Sequence, residues 1–370
     1  MKITKFKIVT KNKTYPIIIG NNIIKRIDKY LSSEIKNCKK ISLIIDNNIP
    51  KKNIYEIQKS LRKYPIFITY IKTNEKIKSI LTVEKIVDNL LNKNFHRNDC
   101  IIALGGGILG DIAAFSASII KRGIKFVNIP TTLLAQVDSS IGGKTGVNSK
   151  YGKNLIGTFY QPDLVLSDIS ILRSLPKKEV ICGYAEILKH SLILNKKFFL
   201  WLTKNAKKII NKENKKFIIK AIIQSCKIKS KIVSSDERER GLRQVLNFGH
   251  TFAHGFEGAK NFSKRLNHGE AVLLGMVTAV ELAHSKKIIP TKDLILIKKH
   301  YTNLNLPMNI KKIFKKKEIG KVVSFMKKDK KNLGEKINLI LLKRIGKTTG
   351  PNNIALTSRE LKKFLIASYN

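Results

Sequence analysis

The sequence predicts an α/β amino-terminal domain with a mostly parallel, Rossmann-like sheet, followed by a mostly α-helical carboxy-terminal domain. Three observations carry this expectation. In the first half, short apolar runs of strand length alternate with segments of helical spacing, the pattern of βα units around a parallel sheet. One of those runs, Cys100–Leu104, ends in a glycine cluster and is followed by an apolar stretch able to open a helix. From about Leu175 the pattern changes, and helical spacing dominates from Lys177 through His300, with strand signals returning only at Lys336–Leu342. The junction is expected near Ser170–Pro176, dividing the 370 residues into domains 1–173 and 174–370. A chain of this length can bury two cores.

In chain order, Tyr15–Ile19, Ile41–Ile45, Ile66–Tyr70, Cys100–Leu104 and Lys125–Ile129 read as strands, being short runs rich in β-branched and aromatic residues. Segments near Asn22–Ser32, Lys78–Asn92 and Ile108–Ile120 read as helices. Asp46 and Asn48 follow a strand directly, where a parallel sheet presents ligand-binding residues. Gly105, Gly107 and Gly110 fit G-x-G-x-x-G in its strand–turn–helix context. Glycines there let the backbone approach a pyrophosphate, and the helix start supplies N–H groups and a positive dipole. A turn made only for tight packing would use the same glycines. The usual acidic residue about twenty positions on is missing, because the next acid after Asp111 is Asp138. A ribose would have to be held from elsewhere, and Asp46 and Asn48 can supply that contact.

Further on, Gly142-Gly143-Lys144-Thr145 looks like the end of a P-loop. That motif requires a glycine where this chain has Asp138, so the reading fails. What remains is a second glycine-rich polar loop with Lys144, Lys153 and Asn154 in or near it, suited to an anion held by point charges.

Composition narrows the classes. At 43% hydrophobic residues the chain is globular. The formal charge of +46 could serve nucleic acid or an anionic substrate, but the lysines are spread along the whole chain and no RNA-binding aromatic signature accompanies them. Compositional bias accounts for the charge, and the lysine-rich Lys311–Lys317 is expected to be a solvated surface. Cys38, Cys100, Cys182 and Cys226 form no C-x-x-C pair, which fits a reducing cytoplasm rather than a disulfide framework. The opening MKITKFKIVTKNK has no uninterrupted apolar region, so no secretory leader is expected. Cys100–Ile120 carries Asp111 and four glycines and reads as a buried α/β unit rather than a membrane span.

In the helical half, His250 and His254 stand at i and i+4, on one face of a helix. They look like a zinc pair, but H-T-F-A-H lacks the glutamate of a H-E-x-x-H metalloprotease. Glu186 lies in an apolar helical pattern with Lys189 one turn on. By spacing alone the two are an ordinary helix-surface ion pair. His190 follows Glu186 by four residues but is not expected to serve the metal, while His96, His284 and His300 read as surface or core.

Taken together, GGGILGD (Gly105–Asp111), KRG (Lys121–Gly123), PTTLLAQVDSSIGGKTGVN (Pro130–Asn148), KNLIGTFYQP (Lys153–Pro162), GYAEILKH (Gly183–His190), DERERGLR (Asp236–Arg243), LNFGHTFAHGFE (Leu246–Glu257) and NHGEAV (Asn267–Val272) fall in one order along the chain. This set resembles the 3-dehydroquinate synthase family of sugar-phosphate cyclases, over about Asp46 to Lys331. The resemblance implies a carbon–oxygen lyase of the shikimate pathway, converting 3-deoxy-D-arabino-heptulosonate 7-phosphate to 3-dehydroquinate and phosphate. The implied course is transient NAD-dependent oxidation, β-elimination of phosphate, reduction, ring opening and internal aldol closure. It further implies Zn2+, or Co2+, held by Glu186, His250 and His268, with His254 a site residue beside the metal. Three N/O ligands with one open position are what a catalytic zinc requires.

The same resemblance assigns Asp46, Asn48, Glu75, Lys78, Gly106, Gly107, Gly110, Asp111, Thr131, Thr132, Lys144 and Lys153 to NAD. Asn74 stands where the family has glycine before its E-x-x-K element, so the local turn is expected to differ. Asp138, Lys144, Asn154, Lys189, Lys229, Arg243, Asn247, His254 and Lys330 match catalytic and substrate-binding groups. Arg243 suits a carboxylate because its guanidinium binds two oxygens at once. Lys330 is flanked by Lys327, Lys328 and Lys331, so its register can slip. Arg122 matches an arginine that reaches a neighbouring subunit's site, which implies a homodimer. A cytoplasmic biosynthetic enzyme with neither membrane nor nucleic acid as partner follows from this reading. Its rivals are another sugar-phosphate cyclase or an NAD/zinc polyol dehydrogenase on the same scaffold, and a basic nucleic-acid-binding protein. Lys229, Arg243 and Asn247 argue against a dehydrogenase of small neutral polyols, which offer no carboxylate or phosphate. The nucleic-acid reading predicts salt-sensitive retention on DNA or RNA and no need for zinc.

Overall fold

The five strands expected in the first half all form, and they belong to one seven-stranded sheet. Its members are β1 (Thr4–Val9), β2 (Thr14–Gly20), β3 (Ile41–Asp46), β4 (Ile66–Ile71), β5 (Cys100–Gly105), β6 (Lys125–Pro130) and, after a separate hairpin of β7 (Lys144–Ser149) and β8 (Gly152–Phe159), β9 (Leu164–Asp168). The structure, a computed structural model, describes residues 3–263, 265–327, 336–351 and 353–369. Sheet order is β1-β2-β9-β6-β5-β3-β4, parallel throughout except for the edge pair of β1 and β2. Every residue of β3 and β5 is buried. Alternate residues feed two cores: Leu43, Ile45, Ile102 and Leu104 on one face, Ile44, Ile101 and Ala103 on the other. A strand covered on both faces reads as one continuous apolar run, which is why these two stood out in the sequence.

The helices are α1 (Ile27–Glu34), α2 (Lys51–Ser60), α3 (Ile80–Asn92), α4 (Gly107–Ile119), α5 (Lys177–Leu194), α6 (Lys196–Ile210), α7 (Lys215–Ser235), α8 (His250–Ala259), α9 (His268–Ser285), α10 (Thr291–Asn303), α11 (Ile319–Lys327) and α12 (Ser358–Ala367). Among the described residues, no helix is long and apolar enough to cross a membrane. The chain divides into two compact units, Met1–Val180 with Asn214–Arg238, and Ile181–Glu213 with Glu239–Asn370. Helix α7 therefore belongs with the sheet, although it lies far along in the helical half of the sequence. It packs against β1, β2 and the π-helical turn Ala135–Ser139. Cys226 donates to the Gln136 carbonyl there at 3.3 Å.

Candidate functional site

In the first unit, β3, β4 and β5 carry their loops at the same edge of the sheet. Strand order reverses between β3 and β5, because β4 lies on the far side of β3 and the chain then returns to the other. Such a reversal opens a crevice at the carboxyl ends of the strands. Asp46 closes β3, accepting the backbone and side-chain N–H groups of Asn48 at 2.9 Å and the Thr73 hydroxyl at 2.5 Å. Glu75 and Lys78 follow β4. The departure at Asn74 is resolved locally: its side-chain oxygen accepts the N–H groups of Lys76 and Ile77 at 2.9 and 3.1 Å, closing the turn itself.

Asn148 ties these loops together. It donates to the Glu75 carboxylate at 2.9 Å and its backbone N–H reaches the Lys78 carbonyl at 2.8 Å. Its side-chain oxygen accepts the Asn154 N–H at 3.0 Å. Burial alone would raise the Glu75 carboxyl, but Asn148 and the charge of Lys153 carry it below the usual carboxylate range. Lys153 stands 3.2 Å from it. Buried Lys78 donates to both Asp111 and Asn154 at 2.5 Å. Asp111, one turn into α4, is held above its ordinary value by burial, against the pull of Lys78.

Gly106 precedes α4, Gly107 opens it, and Gly110 completes its first turn. Thr131 and Thr132 follow β6, and the Thr132 hydroxyl accepts the Ala135 N–H at 3.1 Å. That turn leads to Asp138, whose carboxylate and backbone carbonyl accept the ammonium of Lys229 at 2.7 and 2.6 Å. Lys229 is buried on α7, among the apolar residues that pack this helix on the sheet. Lys144, at the start of β7, is exposed. Arg122 is also exposed, in a turn where both it and Lys121 adopt left-handed backbone, φ 62° and 49°. Such geometry is uncommon outside glycine.

The second unit gathers Glu186, His250 and His268 into one group, their candidate ligand atoms all within 4.8 Å of one another. Helix packing makes this proximity. A side chain on Gly269 would lie 2.2 Å from the Cys182 Cα, so α9 meets α5 at backbone distance one residue from His268 and one turn from Glu186. A side chain on Gly275 would lie 2.2 Å from the Gly249 carbonyl, bringing the start of α8 equally close to α9.

Within the cluster, the Glu186 carboxylate is divided. Oε2 pairs with Lys189, while Oε1 lies 3.4 Å from His250 Nε2. The helix ion pair and the ligand reading therefore coexist. The His250 Nδ1 faces the Phe248 carbonyl at 3.3 Å, and the His268 Nδ1 faces the two oxygens of Glu257 at 3.4 and 3.3 Å. Both rings thus have an acceptor at Nδ1, an arrangement that would leave Nε2 for a metal. Burial, and then Lys189, lower His250 to about 4, which favours the neutral imidazole that a metal would need. Burial alone would lower His268, but Glu257 carries it above the ordinary histidine value. One carboxylate and two imidazoles are a donor set that fits zinc with a position left open.

His254 lies beside this group without joining it, its ring centroid 5.9 Å from that of His250. Arg243 is buried in the 3-10 turn Leu242–Asn247, and Asn247 donates to Glu239 at 3.1 Å. Lys330 lies outside the described residues. Sequence reasoning did not single out Thr73, Asn148 or Glu257. The first two act on partners from other loops and carry no local signal. Glu257 did carry one, falling seven residues after His250 and three after His254 on the same helical face.

An α/β unit with a glycine turn beside its strand reversal, followed by a helical unit, is a fold shared with solved cyclases and dehydrogenases. The structure of 2-deoxy-scyllo-inosose synthase complexed with carbaglucose-6-phosphate, NAD+ and Co2+ matches with a TM-score of 0.85 at 24% identity, over 98% of this chain and 100% of that one. The 2-epi-5-epi-valiolone synthase of Streptomyces hygroscopicus subsp. jinggangensis 5008, with NAD+ and Zn2+ bound, matches with a TM-score of 0.84 at 24% identity, over 98% of each chain. Residues 68–182 match the family described as 3-dehydroquinate synthase N-terminal, and residues 183–332 its C-terminal counterpart. A 3-dehydroquinate synthase of Pelagibacter ubique (strain HTCC1062) is 56% identical over 346 residues, 94% of both chains. The chain belongs to the 3-dehydroquinate synthase family.

Proposed function

We propose that the chain is a 3-dehydroquinate synthase, releasing phosphate from 3-deoxy-D-arabino-heptulosonate 7-phosphate and closing the carbocycle of 3-dehydroquinate. The observation that carries this reading is the Glu186–His250–His268 cluster, with both imidazoles oriented from Nδ1, in a chain 56% identical to a relative of that name. When bound, NAD would supply reversible hydride transfer and zinc would polarise the hydroxyl being oxidised. Glu186, His250 and His268 would hold the metal. Asp46, Asn48, Glu75, Lys78, the glycine turn, Asp111, Thr131, Thr132 and Lys153 would hold the dinucleotide, and the domains expected from the sequence would divide these tasks.

The remaining residues act by charge. Lys144, Asn154, Lys189, Lys229, Asn247 and Lys330 would neutralise the substrate's anionic groups, and Arg243 would take its carboxylate bidentately. Asp138 holds the Lys229 ammonium in place, as their 2.7 Å contact supports. His254 would hydrogen-bond substrate or transfer a proton beside the metal. Arg122 would act in the site of a second subunit. A homodimer is supported by the exposed Leu155, Ile156 and Phe159 on β8 and Ile119 at the end of α4, apolar residues that a second copy would cover. Four free cysteines support a cytoplasmic location.

The test is incubation with the heptulosonate phosphate, catalytic NAD and zinc. Phosphate should appear together with 3-dehydroquinate and without net NADH. Stoichiometric NADH with no phosphate would make the chain a dehydrogenase instead.

A further inference from the structure

We propose that Glu257 is a positioning residue for the metal site: its bond to the His268 Nδ1 fixes the ring so that Nε2 presents its lone pair to the metal. This rests on reading Glu186, His250 and His268 as the ligands. The two imidazoles start from different positions. His250 stands next to a left-handed Gly249, and the backbone carbonyl of Phe248, two residues back, accepts at its Nδ1. His268 is the first residue of α9, its side chain 38% exposed, and the cap of that helix uses Asn267 and Glu270 rather than the imidazole. Nothing in its own helix turn selects a ring orientation or a tautomer.

Glu257 supplies that selection from α8. Its side chain is only 12% exposed, and both its oxygens lie 3.3–3.4 Å from the His268 Nδ1. A carboxylate is acceptor only, so Nδ1 keeps its proton and Nε2 is the nitrogen that can give up its own to a metal. Negative charge at that distance also makes the imidazole a stronger donor to the metal. Because α8 carries both His250 and Glu257, one helix holds one ligand and orients the other.

The experiment uses the full chain, stripped of metal, with zinc titrated against a chromophoric chelator. Glu257→Ala should weaken zinc binding toward the upper end of the 10–100-fold range seen when such outer partners are removed, and Glu257→Gln, which keeps an acceptor oxygen but no charge, toward the lower end. Cobalt-loaded Glu257→Gln should show shifted visible absorption bands. In a His268→Ala background, Glu257→Ala should cost no further affinity, whereas a residue that merely supports the fold would cost the same in both. Zinc binding as tight as that of the unmodified chain in either folded variant overturns the proposal. So does an equal loss in the His268→Ala background. Should Glu257→Ala not fold, the near-isosteric Glu257→Gln decides. If the unmodified chain itself takes up no zinc, the metal reading falls first, and the role of Glu257 with it.

Discussion

His250 and His254 share a helical face, and periodicity alone treats them alike. The structure separates them, since His250 joins Glu186 and His268 within 4.8 Å and His254 does not. Removing one of three ligands should strip the metal, whereas removing a neighbour should spare it. His250→Ala and His268→Ala are therefore expected to lose stoichiometric zinc on dialysis. His254→Ala should retain it and turn over more slowly by about 10²-fold or more. Zinc analysis and phosphate release read the two effects separately. His300 makes a different point. It is buried, bonded to the Tyr184 hydroxyl at 2.7 Å and set edge-on to Phe199. Burial lowers it to about 4, against about 6.5 in an unfolded chain. The unfolded state therefore binds a proton between these values that the folded state refuses. Its contribution, on the order of 3 kcal/mol, is present above pH 6.5 and lost as pH falls toward 4. His300→Gln, which can still bond Tyr184, should flatten that acid limb of the denaturation midpoint relative to the unmodified chain.

At the scale of elements, the Glu186–His250–His268 cluster exists because three helices approach at backbone distance. Gly269 is the tightest point, with its missing side chain directed at the Cys182 Cα. Gly269→Ala should force α9 from α5, destabilise the protein by about 1–3 kcal/mol or more, and weaken zinc binding because His268 moves with the helix. A denaturant midpoint and a zinc titration check both parts. The helix signals that place Glu186 and His250 were legible, but the glycine contact was not, since Gly269 reads in the sequence only as part of a motif. Strands covered on both faces were equally plain. Edge strand β1 was not, because TKFKIV interleaves lysine with its apolar residues and only Ile8 is fully buried. Helix α2 was missed as well: it follows Pro50, carries three lysines in KKNIYEIQKS, and buries only Ile54 and Ile57. In each case a lysine-rich composition dilutes the apolar period on which such readings depend.

At the scale of the molecule, the glycine turn with its neighbouring loops and the Glu186–His250–His268 group reside in separate units, and the +46 charge is spread too evenly to single out either one. Arg122 is the residue whose proposed role cannot be fulfilled within one chain. It is exposed, in a turn with two successive left-handed residues, near the apolar side chain of Ile119. Such backbone recurs at other nonglycine residues of the chain, Lys212 and Lys287 among them. A second copy covering this surface and β8 would put the guanidinium to use. Arg122→Ala and Lys144→Ala homodimers should then both be inactive, for opposite reasons: one lacks the donated arginine, the other the resident lysine. In a mixed dimer, the Arg122→Ala chain keeps its own Lys144 and receives Arg122 from its partner, so one site is whole. Random reassembly of equal amounts should restore about a quarter of the unmodified activity, since half the dimers are mixed and each has one working site. A verified heterodimer with no recovered activity would show that Arg122 serves its own chain.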